Sequence, residues 1–359
     1  MKALVLWADR HSTNLGVQAL ASGTSQMLQR ITPGAAIDFQ SYGPGPAPVP
    51  LSLRSICRSM SGVDTRLTAW LQGYDVVIDT SAGDSFTDIY GKRRLLEMSL
   101  TRALAVRAGV PTVLGPQTIG PFGTPLTRGF ARWSLSGVDS IMARDSASLR
   151  SLSKSLACSG DLATDVVFAI PLQQACRQGP DVLFNVSGLL WQQNTHIDNE
   201  MYRKACVRYC ESLLARGMTV EIFPHVLASS HPDNDVTAAA DLSARLNGLA
   251  ITTPTGLDDA RGHIASSRLV VGARMHACLN ALSLGIPTIP WSYSLKFKPL
   301  LADLGWAHEV DLRQTDPTDY TRQCDELLLS TGPDLLAPVL DIAQAGLSSY
   351  EDRLRSIIE

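Results

Sequence analysis

No stretch of the 359 residues is apolar for long enough to cross a bilayer, which takes about 20 consecutive apolar residues. The N-terminus, MKALVLWADRHSTN, carries one lysine and a five-residue apolar run. That run is too short for a signal peptide and reads better as a first β-strand, so the expectation is a cytoplasmic protein. Long basic runs are missing too, and the net charge is −3, which argues against a nucleic-acid partner. The seven cysteines are scattered and odd in number, with no CxxC and no Cys/His pair at zinc spacing. Reduced thiols and no metal centre are expected. The first βα turn holds a single glycine, Gly16, so there is no GxGxxG fingerprint and nothing argues for NAD. No internal repeat is visible.

What is present is an alternation of apolar strand and helix patterns along nearly the whole chain. Candidate strands lie at 2–7, 36–40, 74–79, 111–115 and 138–143, with helices near 16–30, 92–108, 125–135 and 146–156. The stretch GPGPAPVP (43–50) is a loop, because repeated Pro and Gly sustain neither a helix nor a central strand. QACRQGPD (174–181) reads as a linker. A second series follows, with strands at 181–186, 218–223, 249–252, 268–272 and 287–290. Its helices fall near 200–215, 235–246, 257–266, 276–284 and 295–303. Alternating βα units imply parallel sheets with right-handed crossovers. The fold class is therefore α/β, with two Rossmann-like domains facing across a cleft, over 1–173 and 181–334. The amphipathic pattern 335–359 is expected to be a C-terminal helix crossing back onto the first domain.

The richest segment is SRLVVGARMHACLNALSLGIPTIPWSYSLKFK, from Ser267 to Lys298. An apolar strand runs into Gly272-Ala273-Arg274-Met275-His276, and a helix pattern follows. Strand-to-helix junctions of this kind face the ligand crevice of an open α/β sheet. Arginine suits a carboxylate or phosphate, histidine suits a proton, and Lys296 and Lys298 add positive charge. The two lysines diverge on a helix, so one reaches the site while the other is solvated.

Other polar residues fall at strand ends. Asn14 opens the first helix, as a cap or as a ligand-facing group. Asp84 and Asp88 follow Gly83 in SAGDSFTD and suit sugar hydroxyls or a catalytic base, with a helix cap as the plain alternative. Gln117 lies in GPQTIGPF, whose glycines and prolines constrain the backbone around a pocket. Arg144 ends a strand and either points into the crevice or pairs with Asp145 or Asp165. Asn185, Ser187 and Gly188 form a turn suited to phosphate or carboxylate. His225 ends the next strand. His11, His196, His231, His263 and His308 have no comparable setting.

Together these segments resemble the polysaccharide pyruvyl transferase family over nearly the whole chain. The motifs that carry the resemblance are Asn14-Leu15-Gly16, AGDSFTD (82–88), GPQTIGPF (115–122), ARDSAS (143–148), TDVVF (164–168), NVSGLL (185–190), FPH (223–225), GARMHA (272–277) and YSLKFKPL (293–300). The chain departs from the family pattern at Val17-Gln18, where many members have Gly-Asp, and at Ala82, where many have Gly. It departs again at Ser187-Gly188, where some carry Arg.

The resemblance implies a GT-B-like pair of Rossmann domains. It also implies transfer of the pyruvyl unit of phosphoenolpyruvate to two hydroxyls of a sugar, with release of phosphate and no further cofactor. The acceptor would be a polysaccharide, oligosaccharide or glycolipid, and a lipid-linked one would bring the enzyme to a membrane surface. The family's donor-binding arginine and histidine match Arg274 and His276, and a second arginine matches Arg144. On this reading His276 protonates the methylene carbon, Arg274 grips an anionic group and Asp84 or Asp88 takes a hydroxyl proton. Arg144, Asn185, Ser187, His225, Lys296 and Lys298 line the donor side, and Asn14, Asp88 and Gln117 the acceptor side. Two other readings stand beside it. One is a GT-B-type glycosyltransferase using a nucleotide sugar, and the other a non-catalytic carbohydrate- or anion-binding protein.

Overall fold

A computed structural model describes the chain apart from residues 173–178, 230–232, 295, 315–325 and 330–332. Most of the expected linker, together with His231, Cys176 and Cys324, lies outside the described residues. The chain divides into two compact units. Unit 1 comprises Met1–Arg10, Leu20–Ala169 and Ala343–Glu359, and unit 2 comprises His11–Ala19 and Ile170–Ile342.

Unit 1 is built on a six-stranded parallel sheet: β1 (Lys2–Leu6), β2 (Ala36–Gln40), β3 (Val76–Asp79), β4 (Thr112–Gln117), β5 (Ser140–Ala143) and β6 (Asp161–Leu162). The strand order is β2-β1-β3-β4-β5-β6. Its helices are α1 (Leu15–Ile31), α2 (Leu53–Met60), α3 (Arg66–Leu71), α4 (Lys92–Arg107), α5 (Pro125–Ser134) and α6 (Ser146–Ser155). The first five residues of α1 group with unit 2.

Side chains alternate across the sheet with the period of two that a strand imposes. Leu4 and Leu6 face a core with Leu67, Leu71 and Met98, while Ala3 and Val5 face one with Leu28 and Met142. That second core is closed by Leu347, Tyr350 and Leu354 of the C-terminal helix, Pro333–Ile358. The return to unit 1 thus covers a sheet face that would otherwise leave Val5, Ile78 and Val113 wet.

Unit 2 has a five-stranded parallel sheet: β7 (Val182–Asn185), β8 (Val220–Ile222), β9 (Leu269–Gly272), β10 (Thr288–Ser292) and β11 (Val310–Asp311), in the order β11-β10-β9-β7-β8. Helices α7 (Gly188–Trp191), α8 (Asn199–Ala215), α9 (Asp235–Arg245), α10 (Leu257–Ser266), α11 (Met275–Ser283) and α12 (Phe297–Asp303) connect them. β7 and β9 are wholly buried, hence their unbroken apolar sequences.

The first strand of each sheet lies between the second and third, so each sheet has a topological switch point at the carboxyl ends of those strands. That crevice is where open α/β sheets bind ligands. In unit 2 the switch point lies between β7 and β9, and it needs close backbone approach. A Cβ on Gly272 would sit 2.4 Å from Asn185 Cβ.

Several details depart from the sequence reading, and the short elements β6, β11 and α7 were not expected either. The expected strand 249–252 contributes only a one-residue bridge, Ile251 to Ile222, because β8 is three residues long and ends there. Helices α2 and α3 were not foreseen. α2 buries only Ile56 and Ser59, too thin a stripe to show as a period. The turn His11–Asn14 and the start of α1 group with unit 2 rather than with the expected domain 1–173.

Candidate active site

Arg274 and His276 sit at the switch point of unit 2. Arg274 caps α11, and its backbone N–H donates to Asn185 Oδ1 at 2.9 Å. The Asn185 amide in turn donates to Phe223 O at 2.8 Å. Asn185 therefore ties the ends of β7, β8 and β9 together. It was expected to bind the donor, yet its amide is fully buried and committed to this internal frame. Ser187 is equally buried. Its N–H donates to the Tyr202 hydroxyl at 2.9 Å, and its own hydroxyl has no partner among the described residues.

The Arg274 guanidinium is held by two acids that the sequence did not single out. Nε and Nη2 donate to Asp235 Oδ1 at 3.0 and 2.7 Å. Nη2 also donates to the Asp233 carbonyl and to Asp233 Oδ1, both at 2.6 Å. Asp235 is completely buried and accepts from three backbone groups as well: Gly188 N–H at 2.7 Å, His225 N–H at 3.0 Å and Val226 N–H at 2.9 Å. A buried carboxylate is tolerable only with this density of donors. Burial works against the Arg274 charge, but Asp235 and then Asp233 outweigh it and raise its pKa above the usual arginine value.

His225 is buried beneath this pair. Burial first, and then the positive charges of His276 and Arg274, hold its pKa well below the usual 6.5. Its Nε2 lies 3.5 Å from Asn280 Nδ2, whose other contact is the His276 carbonyl at 2.7 Å. Asn280 Oδ1 accepts from Arg261 Nη1 at 2.8 Å, which fixes the orientation of the amide. A donor at Nε2 suits a neutral His225 that accepts there. A buried, neutral histidine fits the structural alternative better than that of a cationic ligand.

The turn before α1 packs directly on His276. Asn14 Oδ1 accepts the Gly16 N–H at 2.9 Å, the Leu15 N–H donates to His225 O at 3.2 Å, and Leu227 N–H donates to Thr13 O at 2.7 Å. Asn14 is thus the cap of α1. A Cβ on Gly16 would lie 2.7 Å from His276 Nδ1, so glycine is what lets the imidazole lie against the helix start. Gln18 is one of the residues that depart from the pattern expected of the resembled family. Its Oε1 accepts the Leu257 N–H at 3.0 Å, capping α10, whose own cap residue Gly256 has no side chain to do so. The departure at this position therefore has a structural use.

The two lysines differ in exposure. Lys298 is exposed and close enough to Asp311 to lower its pKa further, after the Arg313 hydrogen bond and against burial. Lys296 is half-buried before α12 and adds to the burial that lowers the His196 pKa. Tyr293 lies near enough to Arg274 to contribute to its electrostatics.

The remaining named residues belong to unit 1. Arg144 is buried and takes the salt-bridge alternative, with Nη1 3.0 Å from Asp165 Oδ2 and Nη2 2.6 Å from Thr118 Oγ1. Asp84 is half-buried and accepts from the Tyr90 hydroxyl at 2.8 Å. Ser81, Ala82 and Gly83 before it all have positive φ, at 40°, 51° and 81°. Strain of that kind, in non-glycine residues, concentrates at functional turns. Asp88 and Gln117 were expected to face an acceptor. Asp88 Oδ2 accepts the Gly123 N–H at 2.8 Å and the Thr127 hydroxyl at 2.7 Å, anchoring the loop to α5. Gln117 is completely buried, and neither its amide nitrogen nor its amide oxygen has a hydrogen-bond partner among the described residues.

A cavity of about 680 Å³ also lies in unit 1, beneath the Pro-rich loop, with Tyr42, Pro48, Arg93 and Glu97 among its walls. The Tyr42 hydroxyl donates to Glu97, and Arg94 stacks on the tyrosine ring at 4.5 Å. None of these residues stood out in the sequence. Among the described residues, no group of three or more His, Cys, Asp or Glu could hold a metal ion, and no helix is long and apolar enough to cross a membrane.

Two parallel sheets of this order define a two-domain α/β fold of GT-B type. Solved structures agree on the fold. UDP-GlcNAc 2-epimerase from Neisseria meningitidis, bound to UDP-GlcNAc, matches with a TM-score of 0.57, 11% identity and 99% of each chain covered. HepE from Anabaena, in complex with UDP and glucose, matches with a TM-score of 0.54 and 11% identity, covering 98% of this chain and 100% of that one. The polysaccharide pyruvyl transferase family model matches residues 14–294, and the chain belongs to that family. No curated protein matches.

Proposed function

We propose that the protein transfers the pyruvyl unit of phosphoenolpyruvate to two hydroxyls of one sugar in a polysaccharide, oligosaccharide or glycolipid. The observation that carries the reading is the pairing of His276 with Arg274 at the switch point of unit 2, in a chain of this family. Phosphoenolpyruvate concentrates a carboxylate and a phosphate on one small frame. Holding it takes several cationic or N–H donors, each worth roughly 1.5–3 kcal/mol. Arg274, half-buried Lys296 and the start of α11 offer such donors on one unit. Asn185, Ser187, Asp235 and His225 serve as the frame that holds them.

His276 delivers a proton to the methylene carbon, leaving an oxocarbenium-like centre at the adjacent carbon. One sugar hydroxyl adds there, and its proton returns to the imidazole. The second hydroxyl then displaces phosphate, which leaves with the remaining proton. Asp84 is the candidate for passing the second hydroxyl's proton on to the departing phosphate. No metal or cofactor enters this scheme.

The test is phosphate release from phosphoenolpyruvate with a panel of oligosaccharide and glycolipid acceptors. Acceptor-dependent release that is lost in His276→Ala is the expected result. Consumption of a nucleotide sugar in place of phosphoenolpyruvate, or wild-type turnover in His276→Ala, would sink the proposal.

A further inference from the structure

The environment of Arg274 carries one acceptor too many. Nη2 has two protons, yet three oxygens lie within hydrogen-bond distance: Asp235 Oδ1 at 2.7 Å, Asp233 Oδ1 at 2.6 Å and Asp233 O at 2.6 Å. The two carboxylates are not equivalent. Asp235 is 0% exposed and is fixed by three backbone N–H groups. The Asp233 side chain is 26% exposed and the Arg274 side chain 11%, so Asp233 is the more solvent-accessible of the two acids that hold the guanidinium. Two carboxylates already pair with the one guanidinium, so an incoming anion gains a full contact with it only where one of them yields.

We infer that Asp233 is the resident counter-anion of Arg274, and that an anionic substrate binds by exchanging for the Asp233 carboxylate. Asp235 stays in place throughout and keeps the guanidinium aimed. Asp233 therefore sets donor affinity: it keeps Arg274 paired when the site is empty and is displaced when the site fills. The inference rests on the reading of Arg274 as the donor's anion contact.

Displacing a partly exposed ion pair is a modest cost, so removing Asp233 should tighten anion binding by about fivefold. Titration calorimetry tests this with two probes, phosphoenolpyruvate and inorganic phosphate. The proteins are the full-length wild type, Asp233→Ala, Asp233→Asn and Asp233→Ala combined with Arg274→Ala. The expected result is tighter binding of both probes in both single variants, with the gain abolished when Arg274 is also removed. A misfolded variant cannot produce tighter binding, and Asp233→Asn keeps the shape while removing the charge. Tighter phosphate binding without any phosphoenolpyruvate binding would uphold the exchange and defeat the assignment of the donor. Unchanged or weaker binding in the single variants would overturn the exchange and leave the donor assignment standing. Binding of neither probe to any protein would overturn the inference as well.

Discussion

Gly16→Ala separates the position of His276 from its presence. The added Cβ would lie 2.7 Å from His276 Nδ1, 3.0 Å from its Cγ and 3.1 Å from Asn14 Oδ1. Ordinary contact begins near 3.4 Å, so the imidazole must retreat by about 0.7 Å. The ring has somewhere to go only by turning about its side-chain torsions, since the α11 backbone is pinned through Arg274 N–H to Asn185. Misplacement of a reacting group by about 1 Å costs on the order of a hundredfold in rate. A shift somewhat smaller than that should lower kcat by roughly ten- to a hundredfold.

Stability should move little. Gly16 is the second residue of α1, where alanine gains about 0.5–1 kcal/mol over glycine, and this offsets part of the crowding. A net change within about 1 kcal/mol shifts the midpoint by about 2–4 °C in a domain of this size. The assay is acceptor-dependent phosphate release, run beside a thermal melt. A second arm combines Gly16→Ala with His276→Ala. If glycine matters only because it seats the imidazole, the double variant is no slower than His276→Ala alone. A stable Gly16→Ala protein with wild-type kcat would refute the reasoning, because the ring would then tolerate displacement that proton delivery should not.

Two further predictions concern the frame. Asp235→Ala removes the one carboxylate that joins Gly188, His225, Val226 and Arg274, and it should destabilise unit 2 by about 3–5 kcal/mol, read from urea unfolding; a loss below 1 kcal/mol would mean that the backbone N–H groups find other acceptors. His225 should make stability fall in acid. Its folded pKa is depressed by burial and then by neighbouring charge, so below pH 6.5 the unfolded chain takes up the proton more readily. Its contribution is intact above pH 6.5 and is lost below it, by up to about 1.4 kcal/mol per pH unit, until the folded pKa is reached. The stability gap between wild type and His225→Gln should therefore narrow from pH 7.5 to pH 5.5. A gap that stays constant over that range would contradict the assignment of a buried neutral imidazole.

The fold was legible because its signals are local. β7 and β9 are short apolar runs closed by Asn185 and Gly272, and α8 to α11 carry ordinary helical periods, so each element follows from its own residues. Strand order was not legible from the same residues. Nothing in VLFN or LVVG says that β7 lies between β8 and β9, since that depends on right-handed crossovers competing over the whole sheet. The pair Arg274 and His276 could be found because the junction of β9 and α11 holds both within three positions.

The residues that govern that pair lie far away in the chain. Asp233 and Asp235 are 41 and 39 residues from Arg274, and in sequence they look like ordinary acids flanking the Asn234 cap of α9. Gly16 is 260 residues from His276, and its lack of a side chain matters only because an imidazole arrives above it. Such contacts leave no periodic trace, so a single chain shows the charged groups but not what balances them. The balance is what carries the chemistry here. An arginine at a helix start reads as an anion receptor, whereas an arginine already clasped by two carboxylates is a receptor whose affinity depends on which of them yields.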